Sequence, residues 1–131
     1  MHLQIATRHV ADAVIAAPVG RIDHRSAAEF EAALTPLVAA AAAAKGALVL
    51  DFSAVEYISS VGLRVLMMAA KQLRGQQRKL GVAAAKPLVG EIFEISRFNL
   101  ILDLSPTVRA GLERMSPAAV AAYDASAASA A

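Results

Sequence analysis

The chain has 131 residues, 57% of them hydrophobic but only 5% aromatic, a formal net charge of +2 and no cysteine. One domain with a proper core fits that length, and the core is expected to be built of Leu, Val, Ile and Ala with little aromatic bulk. The missing cysteines exclude disulfides and thiolate metal ligands. No apolar run approaches the roughly 20 residues of a membrane span, the polyalanine run Ala39 to Ala44 included. The N-terminal sequence MHLQIATRHV shows no basic region followed by an apolar run, so no secretory signal is read and a cytoplasmic location is expected.

In chain order, Leu3 to Thr7 and Ala13 to Val19 are predicted as two short strands joined by a turn near Ala11 and Asp12. Gly20 to His24 then leads into a helix, where Ser26 and Glu29 have capping-box spacing. Phe30, Ala33, Leu34 and Leu37 supply its apolar stripe. Pro36 should kink that helix or restart it with Thr35 as a new cap, and Lys45 and Gly46 close it. The continuous run Leu48, Val49, Leu50 is predicted as a strand covered on both faces, ended by Asp51 and Ser53.

A short polar turn follows, and then a helix carrying Ser59 and Ser60 in its first turn. Its apolar residues Leu66, Ala69, Ala70 and Leu73 recur at helical spacing. Gly75 to Arg78 reads as a polar turn, Lys79 to Ala84 as a third core strand, and Pro87 as the first turn of a helix reaching about Arg97. Leu100 to Leu104 is the next predicted strand. Ser105 and Pro106 open a last helix through about Met115. Residues 1–115 are thus expected to form one domain, and the Ala/Ser-rich residues 116–131 a frayed helix or disordered tail without function. The alternation implies an α/β fold, a mixed and mostly parallel sheet of about five strands against about four helices.

Enzyme chemistry is hard to find. GxxxxGK[ST], GxGxxG and GxSxG are all absent, so neither a nucleotide site nor a nucleophile elbow is expected. His2, His9 and His24 lie outside any metal-binding spacing and are read as surface residues; no metal and no cofactor is expected. Lys71, Arg74, Arg78 and Lys79 cluster, but no aromatic residue is interleaved for stacking on bases. They are read as a solvated helix end, and nucleic acid is set aside. Ser60 is read first as a helix N-cap, worth about 1 kcal/mol. Met67 and Met68 are core or interface filler, and adjacent helical positions cannot both face inward.

The phrase LVLDFSAVE followed by YISSVGLRVLMMAAK resembles the central strand, loop and second helix of the STAS domain, the fold of bacterial anti-sigma factor antagonists. VGRIDHRSAAEFEAAL is similar to that family's Gly-x-x-Asp loop and first helix. KLGVAAAKPLVGEIFEISRFNLILDLSPTVRAGL resembles its last two strand–helix units, so that the likeness spans roughly Val14 to Leu112. Phosphorylated family members read Asp-Ser-Ser/Thr-Gly-Leu in the loop, with the first hydroxyl residue modified. Anchoring on Gly62 and Leu63 puts Ser60 at that position, Ser59 where the acid stands and Val61 at the second hydroxyl.

The resemblance therefore implies phosphorylation of Ser60, with Ser59 as the lesser candidate. It implies partner contact through Asp23, Ser59, Ser60, Val61, Gly62 and Arg64. The implied partners are an anti-sigma factor that is also a serine kinase of the histidine-kinase-like ATPase type, and a serine phosphatase. The unphosphorylated chain, expected as a monomer without membrane insertion, would bind the anti-sigma factor and release a sigma factor. The alternative is a scaffold that never carries phosphate, such as the STAS subunit of a lipid-transport ABC complex.

Overall fold

The computed structural model describes residues 3–130. Strand β1 (Gln4–Val10) and strand β2 (Ala13–Ile22) form an antiparallel hairpin that pairs Val10 with Ala13. Ala11 makes the turn in the left-handed region, at φ 54°. Helix α1 (Ala27–Ala43) leads to the central strand β3 (Leu48–Asp51), which pairs with β2 in parallel.

Strand β4 (Val55–Ile58) comes next, then helix α2 (Ser60–Arg74), strand β5 (Leu80–Ala83) and helix α3 (Pro87–Ile95). A 3-10 turn (Phe98–Leu100), strand β6 (Asp103–Ser105) and helices α4 (Val108–Met115) and α5 (Pro117–Ala130) follow. The sheet runs β1-β2-β3-β5-β6, and every pairing except the hairpin is parallel. The α/β class with a mixed, mostly parallel sheet is as the sequence predicts; the described residues hold six strands and five α-helices against the expected five and four or so.

The extra strand is β4, in the stretch expected to be a polar turn. It forms because β2 is ten residues long and outruns β3. Val14 to Ala16 pair with β3, whereas Gly20 (φ 103°), Arg21 and Ile22 pair with β4, with a register shift between Gly20 and Arg21. Val55 and Ile58 are buried while Glu56 is exposed, a pattern too short to distinguish from a turn by period alone.

Both faces of β3 are covered, which is why its sequence is uniformly apolar. Leu48 and Leu50 belong to the main core with Phe30, Leu34, Phe52, Leu66 and Phe93 from the α1, α2 and α3 side. Val49 points the other way, into a smaller cluster with Ile15, Ala83, Val108, Leu112 and Ala119.

Several local expectations fail for tertiary reasons. The Ser26–Glu29 capping box does not form, because Glu29 Oε2 accepts from the Leu3 N–H at 2.8 Å instead. Pro36 neither ends nor restarts α1, and Thr35 is no cap: its hydroxyl donates to the Glu31 carbonyl at 2.9 Å. Leu100 and Ile101 are not in a strand, and β6 begins only at Asp103. Thr107, not Ser105, caps α4 by accepting from the Ala110 N–H at 3.0 Å.

The tail from Pro117, expected as a frayed helix or disordered, is the helix α5, packed on α4 and β1. Its Ala119 is buried, and the Arg8 guanidinium lies 5.3 Å from the centre of the Tyr123 ring. Arg109 reaches both Asp124 carboxylate oxygens at 3.1 Å. Among the described residues, no helix is long and apolar enough to cross a membrane. His9 and His24 are exposed; His2 lies outside the described residues.

Candidate partner-docking site at the start of helix α2

The site is assembled at the carboxyl ends of two neighbouring parallel strands. Ile22 of β2 and Ile58 of β4 are paired positions, so Asp23 and Ser59 leave the sheet side by side. The Ser59 N–H donates to the Ile22 carbonyl at 2.8 Å and pins the start of α2 to the end of β2. Gly62 is buried in that contact. A Cβ at Gly62 would stand 2.8 Å from side-chain carbons of Ile22 and Ile58 and 3.1 Å from the Ile22 oxygen. The glycine thus permits the close approach and presents no surface of its own.

The N-cap is Ser59, not Ser60. Ser59 has extended backbone angles, and its hydroxyl accepts from the Gly62 N–H at 3.3 Å. Ser60 is the first helical residue, exposed, with no hydrogen-bond partner for its hydroxyl among the described residues. The two serines therefore divide the work: one closes the helix end and the other stands free in solvent. Ser59→Ala should lower stability by about 1 kcal/mol, a few degrees in Tm, while Ser60→Ala should leave the melt unchanged. Thermal denaturation of both variants checks this, and an equal loss for Ser60→Ala would reverse the cap assignment.

Asp23 organises the neighbouring turn. Its Oδ1 accepts from the Arg25 N–H at 2.9 Å, and its own N–H donates to Ser26 Oγ at 3.0 Å. Ser26 in turn donates to the Arg21 carbonyl at 2.8 Å. The bond from Arg25, helped by the positive field of His24 and Arg21, holds the Asp23 carboxyl below the usual carboxylate range. Its contribution to the turn is present at neutral pH and is lost only as pH falls through that lowered pKa. Arg21 itself lies over Tyr57 of β4 at 4.6 Å from the ring centre, with its Nε 3.8 Å from Asp23 Oδ2. The Asp23 turn is thus a fixed, negatively charged neighbour of the α2 N-terminus.

Beyond Ser60, one face of α2 remains uncovered. Val61 is 44% exposed, Arg64 is exposed, and Met68 is 46% exposed. They line a shallow groove against His24, Ala28 and Glu31 of the α1 side. Met67 half-packs on the core while Met68 faces out, as adjacent helical positions require. The groove's α1 wall comes from tertiary packing and is not legible in the sequence. The signal available was the spacing of Val61, Arg64 and Met68 at i, i+3 and i+7.

Chemically, the arrangement offers an exposed hydroxyl at the positive end of a helix. First-turn N–H groups and the helix dipole favour an added anion there. Among the described residues there is no group of three or more His, Cys, Asp or Glu placed to hold a metal ion.

Four similarities to known proteins bear on this site. A family model described as "Mlab, STAS domain" matches residues 5–104. The chain is 44% identical over 94 residues to BtrV of Bordetella bronchiseptica, provisionally named an anti-sigma factor antagonist; the match covers 70% of this chain and 77% of that protein. The fold is similar to an anti-sigma factor antagonist from Mycobacterium paratuberculosis, with a TM-score of 0.74, 26% identity, and coverage of 86% and 92% of the two chains. It is also similar to the Bacillus cell fate determinant SpoIIAA in its phosphorylated form, with a TM-score of 0.64, 14% identity, and coverage of 85% and 98%.

Proposed function

The chain belongs to the STAS domain family, and on that premise we propose that it is an anti-sigma factor antagonist switched by phosphorylation of Ser60. Unphosphorylated, it binds an anti-sigma factor that is also a serine kinase of the histidine-kinase-like ATPase type, and a sigma factor is released. The kinase brings the ATP, a serine phosphatase resets the switch, and the chain itself acts by binding rather than by catalysis. The observation that carries this reading is the free, exposed Ser60 hydroxyl beside the capping Ser59. The docking surface comprises Asp23, Ser60, Val61 and Arg64, with Ser59 and Gly62 setting their positions.

A phosphate on Ser60 adds roughly −1.5 to −2 charges at pH 7. The helix N-terminus tolerates that charge, so the fold should survive it. A partner surface fitted to a neutral hydroxyl does not tolerate it, since docking would desolvate the phosphate near the Asp23 carboxylate. Ser60→Ala should keep partner affinity and resist modification. Ser60→Glu should stay folded and lose at least about tenfold in affinity, roughly 1.4 kcal/mol.

The decisive measurement incubates the protein with the kinase encoded in its own genome and ATP, then maps phosphate by mass spectrometry. Modification of Ser59 alone would place the acceptor one residue earlier. A second reading, the non-phosphorylated scaffold of a lipid-transport ABC complex, draws on one feature: the position before the acceptor is a serine used as a cap, not an acid. Absence of phosphate with every candidate kinase would move the assignment there.

A further inference from the structure

The far end of α2 carries a different kind of surface. Lys71 and Arg74 of its last turn converge with Arg78 and Lys79 of the following loop on a cleft of about 280 Å³. Leu100 and Ile101 form its other wall, delivered by the 3-10 turn before β6. Leu100 is 75% exposed, a large apolar side chain left beside four cations. No carboxylate lines the cleft, and none of the four cations has an ion-pair partner among the described residues. Elsewhere Lys86 reaches Glu56, Arg109 reaches Glu113 and Asp124, and Arg114 reaches Asp103.

The helix dipole favours Lys71 and Arg74 in the last turn but accounts for only part of this gathering. The last carbonyls of α2 are already met by backbone donors: Gly75 N–H to Lys71, Gln76 and Arg78 N–H to Leu73, and Gln77 N–H to Arg74. The cations are therefore not needed as caps, and Arg78 and Lys79 lie beyond the helix altogether. Four like charges facing one concavity repel one another, and an anion placed there relieves that repulsion.

We propose that this cleft is a second docking surface, which takes a short acidic segment of a partner protein bearing an apolar residue. Carboxylates of the segment pair with Lys71, Arg74, Arg78 and Lys79, while its apolar side chain covers Leu100 and Ile101. A nucleic acid is disfavoured because no aromatic residue lines the cleft for bases to stack on. A membrane is disfavoured because the cleft offers only Leu100 and Ile101 as large apolar side chains and not the continuous apolar face of an amphipathic helix. The 15 residues of α2 separate the cleft from Ser60 by about 20 Å of rigid helix. The two surfaces can thus be occupied together, and this inference stands independently of phosphorylation.

Fluorescence anisotropy with a short labelled peptide of repeating Glu-Leu-Asp tests it. The wild-type chain should bind saturably and more weakly as salt is raised, because exposed pairs are screened. The triple variant Lys71→Glu, Arg74→Glu, Arg78→Glu should lose at least about tenfold in affinity with an unchanged thermal melt. The milder Lys71→Gln, Arg74→Gln pair guards against misfolding, and Leu100→Ser should weaken binding several-fold without touching charge. No saturable binding by wild type would overturn the proposal. So would equal affinity for a peptide of glutamate alone, which would leave Leu100 without a role. Tighter binding of a single-stranded oligonucleotide or of phosphatidylserine vesicles, lost in the same variants, would assign the cleft to that ligand instead.

Discussion

Leu50→Asp is expected to abolish the cooperative thermal transition altogether. Leu50 is fully buried in β3, the strand flanked in parallel by β2 and β5, and it packs in the main core with Phe52, Leu66 and Phe93. Both neighbouring strands are already paired, so the backbone cannot rotate the new side chain outward. A slip of one residue would instead drive Val49 and Leu48 onto the wrong faces. The carboxylate would have to stay protonated or sit unpaired among apolar atoms, at a cost of several kcal/mol before the lost packing is counted. That is of the same order as the roughly 5–15 kcal/mol by which a domain is stable at all. Circular dichroism during heating provides the check, and a cooperative melt near the wild-type temperature would displace β3 from the centre of the sheet.

Gly46→Ala should cost about 3 kcal/mol, the upper part of the usual overpacking range. Lys45 enters the left-handed region at φ 53°, and the Gly46 N–H then donates to the Ala41 carbonyl at 3.0 Å to close α1. That path lays Gly46 directly on the β1–β2 turn. A Cβ there would stand 1.6 Å from the Asp12 carbonyl oxygen and 2.5 Å from its carbon. No rotamer change relieves a clash with backbone. Neither segment is free to retreat: Ala47 accepts from the Val14 N–H at 2.8 Å, and Asp12 is held through its carboxylate by the Ser116 hydroxyl. Denaturant unfolding should show the loss as a lowered midpoint with the slope retained, equivalent to about 10 °C in Tm. Gly75→Ala is the matched control. Its backbone is right-handed and an added Cβ would meet nothing nearer than 3.5 Å, so it should be neutral or slightly stabilising. Equal effects at the two glycines would remove the close approach as the cause.

The candidate site was only partly legible in the residues. Ser60 could be placed at the start of a helix after a buried strand, since apolar spacing on either side locates both elements. Which serine caps the helix could not be read, because capping depends on where the backbone turns helical, and the pairing of β4 with β2 sets that point. Asp23 lies 36 residues before Ser59 in sequence and becomes its neighbour only because Ile22 and Ile58 share a register. The basic cluster at the end of α2 was visible as a run of charges. Its apolar wall was not, since Leu100 and Ile101 arrive from another part of the chain.

What the sequence by itself determined is the α/β class, the central strand and the order of the strand–helix units around it. Each of these follows from a local period, 2 or about 3.6 residues, repeated long enough to outweigh alternatives. Tertiary structure decided the short and shared features. The four residues of β4 needed an overhanging neighbour, Glu29 was diverted from its capping box to Leu3, and Pro36 was carried inside a helix held along one buried face. Ala119, Val120 and Tyr123 dock their helix on the second face of the sheet, which required covering. A capping preference is worth about 1 kcal/mol and an interior helical proline costs about 3, and tertiary contacts with distant segments, apolar burial above all, outweigh both.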